Sequence, residues 1–130
     1  MEFLVLGVLL LVPLVYLIVA LGRVQAAAFA VEGAARDGAR VVATSADPQV
    51  VPARVQALAE LAVADQGFSE VAPEVHIECE DVVCTTPQTV VRVSVRVQVP
   101  LPVVPVLVDR VVPTRVPVQA TSVAVLDRFR

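Results

Sequence analysis

The residues with the greatest capacity for chemistry are two cysteines and one histidine. Cys79 and Cys84 are separated by four residues and are the only cysteines, and His76 is the only histidine. Two thiols at this spacing favour a short local disulfide. The alternative is a metal site with His76 and both sulfurs as ligands, and the fourth ligand would be a nearby acid: Glu78, Glu80 or Asp81. We prefer the disulfide, because closed zinc sites usually draw on Cys and His alone.

Catalytic arrangements are not evident in the rest of the sequence. His76 lies in an alternating stretch without a Ser or Cys nucleophile arranged nearby, and a lone His on a strand is usually a surface residue. The sequence contains no Gly-rich phosphate loop and no His-Glu metalloprotease motif. The acids between Glu60 and Asp81 lack the spaced pattern of a calcium loop. We therefore expect no enzymatic activity, cofactor, resident metal or small-molecule substrate.

Net charge and composition also limit the kinds of partner that the protein can have. The net charge is −3, and all ten basic residues are Arg. A general nucleic-acid binder needs a basic surface to displace counterions from phosphates, so we expect no nucleic-acid partner. Seven acids lie between Glu60 and Asp81, whereas six Arg follow Thr89. This asymmetry favours either head-to-tail packing of subunits or pairing within the fold.

The N-terminus of the chain is uncharged and strongly apolar. Phe3 to Leu21 comprises 19 residues without a charge. As a helix this stretch is ~28 Å long, close to the ~30 Å of a bilayer core. A signal peptide usually has a basic start and a shorter apolar core, whereas this stretch follows Glu2. The pattern predicts a single membrane-spanning helix.

The helical pattern continues from Gly22 to Thr44, giving one predicted helix with Pro13 as a kink or unwound turn. A stripe of small residues recurs at alternating spacings of four and three. We call this stripe the seam: Val24, Ala28, Val31, Ala35, Gly38 and Val42. A second stripe is mostly polar and comprises Phe29, Glu32, Arg36 and Arg40, of which Glu32 and Arg36 can pair at i,i+4. Together with Glu2, the candidate assembly residues in this stripe are Phe29, Arg36 and Arg40. Residues 1–44 are thus predicted to form the membrane and assembly helix, and residues 45–130 a separate domain.

A short second helix and several strands are predicted for this domain. Asp47-Pro48 favours a helix start, which Pro52 could shift by a turn, and Gly67 ends the helix. Its apolar positions fall on one face: Val51, Val55, Leu58 and Ala62.

Beyond Pro73 the periodicity changes to two-residue alternation. It predicts strands at Val75–Cys79, Thr89–Val99 and Val116–Leu126. We expect an α+β fold in which an antiparallel sheet of three to four strands packs on the seam. The apolar, Pro-rich segment Pro100–Val108 either caps the sheet or faces lipid or a neighbouring subunit.

Four N-terminal motifs resemble one known family. They are Glu2-Phe3, Leu11-Val12-Pro13-Leu14, Gly22-Arg23 and the run Gly33-Ala34-Ala35-Arg36-Asp37-Gly38-Ala39-Arg40. Together they are similar to the N-terminal signature of TadE-like proteins, the minor pilins or pseudopilins of tight-adherence (type IVc) pilus systems. The resemblance covers about the first 44 residues.

This resemblance implies a subunit of the bacterial inner membrane with its C-terminal domain outside the cytoplasm. Such a subunit is cut by a prepilin peptidase and passed, on an assembly platform and with other pilin subunits, into or beneath a type IV-like filament that supports surface adhesion. Glu2 matches the acid that in pilins meets the α-amine of a neighbouring subunit. In the family a basic leader ending in Gly precedes this acid, whereas only Met1 precedes it here. The alternative is a single-pass envelope protein whose β domain binds a partner without entering a filament.

Overall fold

The computed structural model describes residues 1–80, 86–102 and 115–126. Two helices precede three strands in the chain: α1 (Glu2–Thr44), α2 (Val51–Asp65), β1 (Glu74–Cys79), β2 (Val90–Pro100) and β3 (Arg115–Val125). The strands form an antiparallel sheet in the order β1-β2-β3. The predicted α+β fold is confirmed.

Helix α1 is 43 residues long and divides into two halves of different environment. Residues 3–19 are exposed along the entire first half, whereas the second half carries the buried face of the helix. The helix continues through Pro13, so the unwound turn, one of the two expectations for this position, does not occur, and the kink stays a prediction. Proline removes one backbone hydrogen bond, and the bonds of neighbouring turns preserve the helix.

Helix α2 begins one turn later than Asp47-Pro48, the first of the two predicted starts. It starts at Val51, with Pro52 in the first turn, where a missing N–H costs no helical bond. The backbone N–H of Gln49 donates a hydrogen bond to Asp47 Oδ1 at 3.0 Å. Asp47 therefore closes a turn before the helix instead of capping it. At the other end Gly67 has φ +87°, the left-handed conformation that glycine adopts without strain.

The central strand β2 supplies the core of the sheet. Its five alternate valines are at most 3% exposed: Val91, Val93, Val95, Val97 and Val99. Their cross-strand partners on the same face include Val75 and Ile77 of β1 and Val118 and Ala120 of β3. The second half of α1 packs against β2 and β3 and also contacts α2. The hydrophobic core therefore lies between this half of α1, α2 and the inner face of the sheet.

Candidate assembly surface

The first half of α1 has no packing partner within the described residues. An 18-residue window of this helix has a mean hydropathy of 3.0 and is only 6% buried. By length and composition it could cross a membrane. Exposing so much apolar surface to water would be unfavourable, so this half requires lipid or another protein around it.

Glu2 lies at the exposed start of α1. Its carboxylate is the acidic group of the first helical turn, where the unpaired N–H groups and the helix dipole favour negative charge. Among the described residues no cation lies within ion-pair distance of it. Glu2 is therefore placed at one end of an apolar rod, available to a group from outside the chain.

Arg23 marks the other end of the uncharged stretch. Its guanidinium lies 5.2 Å from the ring centroid of Phe68, which follows α2 and is 5% exposed. The Arg23 Nε atom is buried and has no hydrogen-bond partner among the described residues. This cation–π contact joins the end of the apolar half of α1 to the folded domain. Sequence analysis missed it, because no local periodicity reports a contact between positions so far apart.

The buried face of α1 includes part of the predicted seam and extends beyond it. Val31, Ala35, Gly38 and Val42 are buried, whereas Val24 and Ala28 are half-buried. Further alanines are buried that the seam did not include: Ala27, Ala30, Ala34, Ala39 and Ala43. The face is wider than a single stripe because both the sheet and α2 pack against this half of the helix.

Gly38 lies where α2 and β2 both approach α1 closely. A Cβ atom at this position would lie 2.9 Å from Val55 Cγ1 of α2 and 3.3 Å from Val93 Cγ1 of β2. Both distances are shorter than ordinary van der Waals contact. The absence of a side chain at Gly38 is thus a packing requirement, whereas Gly33 has no atom within 4 Å of such a Cβ.

The polar stripe of α1 remains on the surface. Phe29 is 74% exposed, which is unusual for a large aromatic side chain on a folded domain. Arg36 Nη2 donates a hydrogen bond to Glu32 Oε2 at 3.3 Å, and the two residues are four positions apart on the helix. Arg40 is exposed one turn further along. These residues line one exposed side of the helix, and Glu32 and Arg36 also border a groove beside Gln119–Ser122 of β3.

The outer face of the sheet is polar except at one end, where Val90, Val123 and Val125 are exposed, and acids of β1 lie opposite arginines of β2. Glu74 is opposite Arg96 and Glu78 is opposite Arg92, with Glu78 Oε2 3.9 Å from Arg92 Nη1. Some acids of the acidic part of the sequence are therefore paired with Arg residues of the basic part, across β1 and β2. Ser94 Oγ and Thr121 Oγ1 are 3.0 Å apart and share a hydrogen bond on the same face.

His76 and Cys79 lie on opposite faces of β1. His76 is exposed, and its Nε2 is 3.2 Å from Glu78 Oε1. Cys79 is half-buried on the inner face, opposite Val91. The alternation of a strand thus separates the two side chains that the metal hypothesis needed together. Within residues 1–80, 86–102 and 115–126 no cluster of three His, Cys, Asp or Glu could hold a metal ion.

Two regions named in the sequence analysis lie outside the described residues. One contains Asp81 and Cys84, so the Cys79–Cys84 disulfide stays a prediction. The other contains residues 103–108, most of the Pro-rich segment. No cysteine within the described residues is free.

Comparisons of the chain with protein-family models, curated proteins and solved structures found no significant match. The functional argument therefore depends on the geometry of α1 and of the domain that it carries.

Proposed function

We propose that this protein is a TadE-like minor pilin or pseudopilin, assembled into or beneath a tight-adherence, type IV-like pilus. In this role α1 anchors the subunit in the bacterial inner membrane and packs against other pilin subunits. The α+β domain lies outside the cytoplasm and supports pilus biogenesis and surface adhesion. The protein has no enzymatic role, and its partners are the membrane, other pilins, the assembly platform and the prepilin peptidase.

The observation that carries the proposal is the division of α1. One continuous helix is exposed and apolar over its first half, and its second half packs against α2 and the sheet. A subunit of this shape can move from lipid into a helical assembly without refolding, because the same apolar surface suits either surrounding. A soluble domain would gain nothing from such an exposed rod.

Glu2 provides the second support. An acid beside an apolar environment is costly unless it is paired. In a staggered stack of such helices, Glu2 of one subunit would enter an apolar surrounding beside the N-terminus of the next, where an α-amine satisfies it. The exposed side of α1 with Phe29, Arg36 and Arg40 supplies further contacts between subunits.

The decisive experiment is Glu2→Ala, expressed in bacteria that assemble the pilus. We expect membrane insertion to be unchanged, since the apolar segment is intact, and recovery in sheared pili or with co-purified pilins to fall sharply. Glu2→Gln keeps the size and removes the charge, so it should behave like Glu2→Ala. Glu60→Ala is the matched control, because it removes an exposed acid of α2 whose partner Gln56 belongs to the same chain and which lies outside the exposed side of α1.

Unchanged recovery of Glu2→Ala in the pilus fraction would contradict the assembly role. It would favour the alternative, a single-pass envelope protein whose β domain binds a partner without filament assembly, because an acid at a membrane edge then has no obligatory partner.

A further inference from the structure

Arg23 is the first charged residue after the apolar stretch of α1. Phe3 to Leu21 is about 28 Å long as a helix, and Arg23 lies two positions, about 3 Å, beyond Leu21. The hydrocarbon core of a bilayer is about 30 Å thick, and a headgroup layer of about 5 to 7 Å covers each side. A bilayer centred on the apolar stretch therefore places Arg23 at the boundary between hydrocarbon and headgroups, where the lipid phosphates begin.

The folded domain holds the Arg23 side chain at this boundary. The guanidinium lies 5.2 Å from the ring centroid of Phe68, which is only 5% exposed and belongs to the turn after α2. Helix α2 runs antiparallel to α1, because Val55 lies beside Gly38 whereas Phe68, further along the chain, lies beside Arg23. The turn after α2 is thus the end of this helix that points toward the apolar half of α1.

The Arg23 guanidinium has donors that can bind a ligand. Its two terminal nitrogens are neither buried nor hydrogen-bonded within the described residues. In that part of the chain no carboxylate lies within ion-pair distance of Arg23, and the acids that flank Phe68 in sequence, Asp65 and Glu70, are exposed. A guanidinium held on an aromatic face presents a planar fork of donors, which matches two oxygens of a phosphate.

From this placement we infer that Arg23 binds the phosphate of a membrane phospholipid, and that Phe68 positions the guanidinium for this contact. A helical side chain leans toward the N-terminus, which directs Arg23 toward the lipid. The phosphodiester is common to phospholipids, so the contact does not need a lipid with net negative charge. It fixes the depth of α1 in the bilayer and the side of the domain that faces the membrane. The inference rests on the membrane anchoring in the proposed function and names the lipid group that the anchor binds.

The test measures the distance from the guanidinium to lipid phosphorus in a bilayer. Full-length protein with carbon-13 at every arginine Cζ is reconstituted in phosphatidylcholine vesicles in a phosphate-free buffer, so that lipid is the only source of phosphorus. Rotational-echo NMR then reports the Cζ signal that nearby phosphorus dephases. A hydrogen bond of ordinary length places Cζ about 4 Å from phosphorus. We expect about one tenth of the Cζ signal to show this distance, because Arg23 is one of ten arginines and the first after the apolar stretch.

Two variants and a matched control assign the signal. Arg23→Lys keeps the positive charge and removes the labelled guanidinium, so the dephased signal should be lost. Phe68→Leu keeps an apolar side chain and removes the ring, so the dephased fraction should fall about twofold, the scale of a cation–π contact. Arg40→Lys is the control, because it changes an exposed arginine of the same helix about 25 Å further from the apolar stretch, and the dephased signal should remain.

A separate sample distinguishes lipid from free phosphate. In maltoside micelles with inorganic phosphate we expect no dephasing, because the free anion is not held at the level of Arg23. Vesicle flotation and circular dichroism establish that each variant is inserted and helical. The inference is overturned if the original chain does not float or has no dephased Cζ in vesicles, if the signal survives Arg23→Lys, or if inorganic phosphate dephases it equally in micelles. An unchanged fraction in Phe68→Leu overturns the positioning role of Phe68.

This test and the test of the proposed function can fail separately. The vesicles contain no pilus, so the phosphate contact of Arg23 is measured without filament assembly. Glu2→Ala leaves Arg23 intact, and its recovery in sheared pili reports assembly alone.

Discussion

At the residue scale, Gly38 determines how closely the three elements of the core approach. Val55 and Val93, its neighbours from α2 and β2, are both fully buried and have little room to move. Glycine usually weakens a helix, because the unfolded chain loses more freedom on folding. Glycine at this position therefore lowers the helix propensity of α1 and allows α2 and β2 to pack closely against it.

We predict that Gly38→Ala lowers the free energy of unfolding by about 1 kcal/mol. Overpacking costs about 1 to 3 kcal/mol, and the gain in helix propensity of about 0.5 to 1 kcal/mol offsets part of it. Gly33→Ala is the control, because its Cβ meets open space, and it should raise stability by about 0.5 to 1 kcal/mol. Chemical denaturation in detergent measures both, and equal effects of the two changes would remove the packing argument.

Single residues also show where sequence reasoning succeeds and where it stops. The seam anticipated buried positions such as Val31 and Ala35, because helical spacing alone assigns residues to a face. It did not anticipate Ala34 or Ala39, because the width of a buried face depends on how many elements pack against it. The contact between Arg23 and Phe68 depends on the path of the chain after α2. The local sequence around either residue does not predict that path.

At the element scale, the strands were the most predictable part of the domain. Each observed end of β1, β2 and β3 lies within one residue of the predicted end. Alternation identifies a strand well when one face is buried and the other is polar, as in β2. The start of α2 was less predictable, because Pro48 and Pro52 both suit the first turn of a helix. The observed start at Val51 depends on the burial of Val51 and Val55, which is a property of the tertiary structure.

The end of β1 carries the next prediction, a disulfide between Cys79 and Cys84. Cys79 is half-buried at the last position of the strand, and Cys84 is the only other cysteine in the chain. We expect denatured protein from the native envelope to contain no thiol that reacts with an alkylating reagent unless it is first reduced.

The stability contributed by this bond should be near the low end of the ~2 to 4 kcal/mol typical of disulfides, because the closed loop is short. Replacing both cysteines with Ser should lower the free energy of unfolding by that amount. Ser94→Ala, which removes an exposed hydrogen bond on the outer face, serves as the control and should be close to neutral. Two alkylated thiols without reduction would contradict the prediction.

At the scale of the whole molecule, the apolar first half of α1 and the α+β domain should be energetically separable. Among the described residues of the domain, none buries positions 1–19 of the helix, and the contacts begin near Arg23 and Ala27. Mutations in that half should therefore change where the protein resides without changing how its domain folds.

We predict that Leu10→Arg combined with Leu14→Arg abolishes membrane association that resists carbonate extraction. Two arginines near the centre of a spanning helix cost about 5 to 7 kcal/mol. Both leucines are exposed, so the thermal unfolding midpoint of the domain should stay unchanged. Gln25→Arg adds a charge just beyond the apolar stretch and should leave membrane association intact; loss of association there, or an altered midpoint in the double variant, would contradict the separation.

The continuity of α1 has a mechanical consequence. Arg23 and Ala27, the first buried residue, are four positions or about 6 Å apart along the helix, and the helix is continuous between them. A helix resists bending and twisting far more than a flexible linker does, so the domain cannot swivel freely on its stem. A rotation about the helix axis, or a pull along it, that acts on the apolar half of α1 is therefore transmitted directly to the sheet.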